Sequence, residues 1–134
     1  MEPFEISKTF LRLAIAVGAL SLATSAFADS VPAKTASTSK GEAFVNGSGM
    51  TLYTFDKDME GKSACNGPCA TNWPPLKADA GSKGPAGWSV VIRDDGSAQW
   101  AYKGKPLYTF AKDSKPGDTT SDGFLNGAWH IAKP

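Results

Sequence analysis

The side chains best suited to metal or redox chemistry are two closely spaced cysteines, Cys65 and Cys69, and a single histidine, His130. Two thiolates at this spacing with a distant imidazole make a soft-ligand set suited to copper, and Met50 and Met59 would add thioether ligands. The competing reading is a disulfide that closes the Gly67-Pro68 turn, for which the two Cα atoms must lie roughly 4.4–6.8 Å apart. Three intervening residues exclude the two-residue spacing of thioredoxin-type redox motifs and of haem attachment. Acidic residues gather at Asp56-Lys57-Asp58-Met59-Glu60-Gly61, which imitates the opening of an EF-hand loop. The twelfth position of that loop is Gly67 rather than a bidentate Glu, and no helix flanks it, so the calcium reading fails. Asp94 and Asp95 belong to a turn. The sequence carries no Ser/His/Asp motif, no phosphate-cradling glycine loop and no zinc-type ligand cluster, so the residues argue against an enzyme.

The elements that would position these groups are short strands. Leu52-Tyr53-Thr54-Phe55-Asp56-Lys57-Asp58 recurs as Leu107-Tyr108-Thr109-Phe110-Ala111-Lys112-Asp113, and a glycine precedes each copy by the same step (Gly49, Gly104). The chain uses one strand-and-turn unit twice. Period-2 alternation puts Tyr53 with Phe55, and Tyr108 with Phe110, on one face, with the leucines and threonines on the other. These rings are expected to build the core of a small β domain rather than a sugar-stacking platform. Asp58 and Asp113 stand where each strand gives way to a turn, where a carboxylate accepts backbone N–H bonds. Hairpins are expected from Ala43–Val45 with Met50–Phe55, and from Trp88–Arg93 with Ala98–Tyr102 around Asp95-Gly96. Trp100 and Tyr102 are expected side by side, Leu107–Phe110 as a further strand and Ala128–Ala132 as the last. One helical turn is allowed at Pro68, and Trp73 is expected to anchor the cysteine loop to the sheet. The fold class is therefore all-β, a small antiparallel domain of five to seven short strands on two repeat copies.

The N-terminus sets the compartment. Lys8 and Arg12 flank an apolar run from Leu13 to Leu22, and Ala26-Phe27-Ala28 gives the small-x-small cleavage pattern of a secretory signal. The run is shorter than the about 20 residues a membrane span needs. Residues 1–28 read as a signal peptide, 29–41 as a flexible leader of small polar residues, and 42–134 as one repeat-built domain. Cleavage after Ala28 leaves a soluble chain of one small domain's length with no stable membrane insertion. A net charge of +1 gives no reason to expect nucleic acid as partner. Export to an oxidising compartment favours a structural Cys65–Cys69 disulfide and no cofactor, with copper on Cys65, Cys69 and His130 as the alternative.

The two Y-x-[FWY]-x-x-D segments, Cys65…Cys69-Ala70, Trp73-Pro74-Pro75-Leu76 and the closing Pro116-Gly117-Asp118-Thr119-Thr120…Trp129-His130…Pro134 together resemble the bacterial "secreted repeat of unknown function" family, also described as predicted lipoproteins with that motif. The resemblance spans about Gly41 to Pro134. It implies an exported, repeat-built envelope domain, periplasmic or secreted, and no established activity or cofactor. The lipidation cysteine of the lipoprotein label is missing here. The expected function is a non-enzymatic module that binds an envelope protein or small ligand, with a periplasmic copper-binding or thiol-redox carrier as the alternative.

Overall fold

A computed structural model describes residues 31–134. The signal peptide and the first residues of the leader lie outside the described residues.

The described chain is all-β, in small antiparallel sheets. β1 (Lys34–Thr38) pairs with β2 (Gly41–Val45) from Lys34↔Val45 to Thr38↔Gly41. β3 (Tyr53–Phe55) pairs with the last strand, β7 (Trp129–Ile131), and β4 (Trp88–Ile92), β5 (Ala98–Tyr102) and β6 (Lys105–Pro106) form a three-stranded sheet. A single helical turn, α1 (Pro68–Asn72), starts with proline at its first positions, where a missing N–H costs nothing. A tight turn at Phe124–Gly127 has left-handed Leu125 and Asn126.

Two expectations need correction. Residues 34–38, assigned to the flexible leader on composition, form β1, and Ala33 just before it is buried. Small polar residues gain order there through ladder bonds to β2, a gain that composition alone does not register. The expected strand at Leu107–Phe110 is not a regular ladder. Tyr108 bridges to both Tyr53 and Pro75, while the paired residues are Lys105–Pro106 just upstream.

The repeat is spatial as well as sequential. Tyr53 and Tyr108 exchange both backbone bonds, Tyr53 N–H to Tyr108 O at 2.7 Å and Tyr108 N–H to Tyr53 O at 3.0 Å. Around that pair the connections repeat. Ala132 N–H donates to Leu52 O as Leu76 N–H donates to Leu107 O. Leu52 N–H donates to Phe44 O as Leu107 N–H donates to Trp100 O, and Asp56 N–H donates to Ala128 O as Ala111 N–H donates to Asn72 O. The two halves are thus related by an approximate two-fold through the Tyr53/Tyr108 bridge. Each half extends well beyond the seven-residue copy.

Both faces of this central pair are covered. Leu52 and Leu107 enter one apolar cluster with Phe44 and Ala132, and Tyr53 and Tyr108 enter the other with Trp73, Phe110 and Trp129. In the second cluster four rings stack in a row. Phe55 lies on Trp129 at 4.3 Å, Trp129 on Trp73 at 4.3 Å and 5°, and Trp73 on Phe110 at 4.9 Å. Rings from the two halves alternate along the stack, so neither half has a finished core alone. Trp100 and Tyr102 both reach Trp88, but Tyr102 also meets Phe44 edge-on at 4.8 Å.

Candidate functional site

The motif residues meet across the two-fold. Tyr53 OH donates to Asp113 Oδ2 at 2.6 Å, and Tyr108 OH donates to Asp58 Oδ2 at 2.7 Å. Each tyrosine therefore holds the aspartate of the other repeat. Each aspartate uses its remaining oxygen on the loop that follows it: Asp58 Oδ1 accepts Ala64 N–H at 2.6 Å, and Asp113 Oδ1 accepts Thr120 N–H at 3.1 Å. Spacing in the sequence shows an aromatic and an acid five residues apart; it does not show that the partner lies in the other copy. Burial raises both phenols above their ordinary pKa, and the facing carboxylate raises them further. They stay protonated donors at any physiological pH.

Behind Tyr108 lies a buried polar network that sequence reasoning missed. The one phenolic proton goes to Asp58, so Ser63, 2.6 Å from Tyr108 OH, donates to it. Ser63 Oγ in turn accepts from Arg93 Nη1 at 3.0 Å. Arg93 is 5% exposed, and it also donates to Gln99 Oε1 at 2.7 Å and to Cys65 O at 2.6 Å. Gln99 Nε2 closes the network on Leu107 O at 2.7 Å. A buried guanidinium needs its donors filled and its charge answered; the carboxylate of Asp58, two hydroxyls away through Ser63 and Tyr108, answers it. The Asp58 carboxyl is raised above its ordinary value because burial desolvates it, an effect that the Ala64 N–H, Tyr108 and Arg93 oppose. A signal for Arg93 was present: it continues the period-2 face of Val91, which is buried.

Cys65 and Cys69 are joined in a disulfide with Cα atoms 5.2 Å apart. The bond closes the loop that Arg93 grips at the Cys65 carbonyl, and Trp73, just after α1, is buried in the ring stack next to it. His130 is not brought to this pair. Its Nε2 lies 2.8 Å from Asp56 Oδ2, with both side chains about half exposed. Among the described residues, no group of three or more His, Cys, Asp or Glu is placed to hold a metal ion. Phe55 and Phe110 are the outer rings of the stack.

One surface feature carries uncommitted groups. Between β7 and the turn from β5 to β6 lies a groove of about 450 Å³, lined in part by Tyr102, Lys103, Lys105, His130 and Lys133, with Asp56 its one acid. A smaller hollow of about 220 Å³ abuts it across Lys103 and Lys105 and is lined by Asp58, Met59 and Glu60. There Asp58 is spent on Tyr108 and Ala64, and Glu60 lies under Gly104, where a Cβ would come within 2.5 Å of its side chain.

A family model described as a secreted repeat of unknown function matches the chain twice, over residues 34–77 and 89–133. The two matched stretches are the two chain segments that the approximate two-fold relates, and the closing segment of each lies against the central strand of the other. No curated protein and no solved structure matches the chain. No helix among the described residues is long and apolar enough to cross a membrane.

Proposed function

Because the chain belongs to the family of secreted repeats of unknown function, matched in both of its halves, we propose that it is a non-enzymatic binding module of the bacterial envelope, with the groove beside β7 as its ligand site. The observation that carries this reading is where polar side chains are spent. The acids, hydroxyls and guanidinium gathered around Tyr53 and Tyr108 bond one another, and their work is structural. The groove keeps polar and charged groups on its walls, and its volume of about 450 Å³ lies within the range of about 300–1,000 Å³ usual for small-ligand sites. His130 Nε2 is spent on Asp56 at 2.8 Å and makes no hydrogen bond to a hydroxyl or thiol among the described residues, the contact that nucleophilic catalysis would use. Periplasmic or secreted residence, after cleavage following Ala28, belongs to the same proposal.

The test is an amide-shift titration of the isotopically labelled mature protein with a panel of neutral and charged saccharides, peptides and phosphorylated small molecules. Shifts gathered at Lys103–Lys105 and Ile131–Lys133, with every probe chemically unchanged, are expected. Turnover of a probe, or shifts confined to the opposite face, would end the reading. The copper or thiol-redox alternative is met by intact mass with and without alkylation after export to a periplasm. A mass two protons light that resists alkylation favours the binding module, and free thiols with retained copper favour the carrier.

A further inference from the structure

The approximate two-fold supplies an internal control for the groove. A side chain required by the fold should recur at the matching position of the other half; one that does not recur is free to serve something else. The backbone correspondence set by Leu52/Leu107, Phe44/Trp100 and Ala132/Leu76 matches Lys105 to Met50, His130 to Pro74 and Lys133 to Lys77, and leaves Lys103 in a two-residue turn where the other half runs through Gly47-Ser48-Gly49, none of them basic. Three of the four basic groups on the groove are thus peculiar to one half.

Lys103 adds an independent observation. It sits with φ 51° directly before Gly104 at φ 82°, a turn in which both central residues are left-handed. Asn-Gly is the ordinary solution for such a hairpin turn, and a lysine there is held against its own steric preference. Its ammonium lies 5.3 Å from the centre of the Tyr102 ring, on the groove wall. Strain kept at the lip of a cavity is a reason to look for a ligand.

The chemistry of the wall narrows the ligand. Lys103, Lys105 and Lys133 form none of the described salt bridges, whereas Asp56 Oδ2 is taken up by a hydrogen bond with His130 Nε2 at 2.8 Å. The groove's cations are all lysine. Lysine acts as a compact point charge rather than as the planar fork that pairs with a flat carboxylate, and several such charges around one chamber suit a tetrahedral dianion. We infer that the groove between β7 and the β5–β6 turn binds the phosphate group of a small phosphorylated molecule, with Lys103, Lys105 and Lys133 as its cationic wall. The inference rests on the binding-module reading and gives that site its ligand class.

The experiment titrates the labelled mature protein with glycerol 3-phosphate, glycerol, inorganic phosphate and acetate at low and moderate salt. Saturable shifts at Lys103–Lys105 and Ile131–Lys133 are expected with glycerol 3-phosphate, weaker at higher salt and absent with glycerol. The double variant Lys103→Asn, Lys105→Met gives the left-handed turn position its ordinary residue and Lys105 the residue of its counterpart, and should bind about tenfold more weakly with an unchanged thermal midpoint. Inorganic phosphate as effective as the ester would support the headgroup and remove the organic body from the inference. Acetate or glycerol binding equally well at these amides, or a double variant that binds as well as the parent, would overturn the phosphate assignment while leaving the groove a binding site. No shift at these amides with any phosphate would overturn it outright, and the wider panel above then decides the binding-module reading separately.

Discussion

The Tyr108–Asp58 junction and the Tyr53–Asp113 junction are built from the same motif and differ in what stands behind them. At the first, Ser63 carries the phenol on to a buried Arg93, which also reaches Gln99 and the Cys65 carbonyl. At the second, Asp113 is closed by the N–H and hydroxyl of Thr120, and Tyr53 OH meets Ser121 and makes a long contact of 3.4 Å to Asp118 O, with no guanidinium behind it. The crossed tyrosine–aspartate pair is therefore what joining two halves demands, since it occurs twice. The guanidinium network is a local addition, and what it adds is a hold on the disulfide loop.

The largest effect should come from removing that addition. Arg93→Met strips three acceptors, Ser63 Oγ, Gln99 Oε1 and Cys65 O, and removes the guanidinium charge that favours the Asp58 carboxylate, at a cost of about 3 kcal/mol in urea unfolding. Tyr108→Phe should cost about 2 kcal/mol, because it unmakes bonds to both Asp58 and Ser63, and Tyr53→Phe about 1 kcal/mol, because it unmakes one strong bond. A double-mutant cycle sharpens the contrast. Arg93→Met and Tyr108→Phe should couple, and Arg93→Met and Tyr53→Phe should add. Equal coupling in both cycles would dissolve the distinction between the two junctions.

Acid titration separates two carboxylates in the same comparison. Asp58 has a raised pKa in the folded state, so the folded chain takes up its proton before the unfolded chain does, and stability is gained as pH falls through that raised value toward 3.8. Asp118, beside the second junction, behaves oppositely. The Lys115 ammonium hydrogen-bonded to it, then the Ser114 and Lys115 N–H groups, hold it well below 3.8, so its contribution is present above that value and lost as pH falls beneath it. Urea unfolding of Asp58→Asn should lose more stability than the parent as pH falls toward 3.8 from above, and Asp118→Asn should lose less as pH falls below 3.8. Parallel curves for both variants would show the two acids to be equivalent. At the other end, Tyr53 and Tyr108 both titrate above 10.0 when folded, so stability present below pH 10 should fall as pH rises past it, less steeply in either phenylalanine variant.

The fold was legible in the sequence where local chemistry decides it. The seven-residue copy, the Asp95-Gly96 hairpin and the proline-started turn at Pro68 are set by residues that touch their own neighbours. The crossing of the halves was not legible, because a Tyr–Asp spacing is the same whether the bond is made within a copy or between copies. Only the exchanged backbone bonds of Tyr53 and Tyr108 decide that. Arg93 was hidden by its position beside an exposed Asp94-Asp95 turn, where a basic residue reads as solvated. The lysine groove was hidden for a related reason: Lys103, Lys105 and Lys133 lie in segments that meet only after the two-fold has formed.

The smallest effect concerns the place where the two halves differ by a disulfide. The loop positions that receive the Asp58 and Asp113 carboxylates, Ala64 and Thr120, match each other, so the next residues, Cys65 and Ser121, match as well. Across the two-fold, Trp73 Nε1 donates to Ser121 Oγ at 3.1 Å. At the matching place, Trp129 Nε1 is buried with no hydrogen-bond partner, and the residue in the serine's place is the disulfide-bonded Cys65. The disulfide has thus displaced a hydrogen bond that its counterpart keeps. Its short ring stabilises by about 2 kcal/mol in the chain-entropy model, while one unsatisfied buried N–H costs about 1 kcal/mol. Breaking the bond with Cys65→Ser and Cys69→Ala should restore an acceptor to Trp129, whereas Cys65→Ala with Cys69→Ala should not. The serine pair is expected to be the more stable of the two by about 1 kcal/mol, with the Trp129 indole N–H proton moved downfield in its spectrum alone. Two variants of equal stability with identical indole signals would mean that Cys65 and Ser121 are not equivalent, and that the symmetry of the core stops short of the disulfide loop.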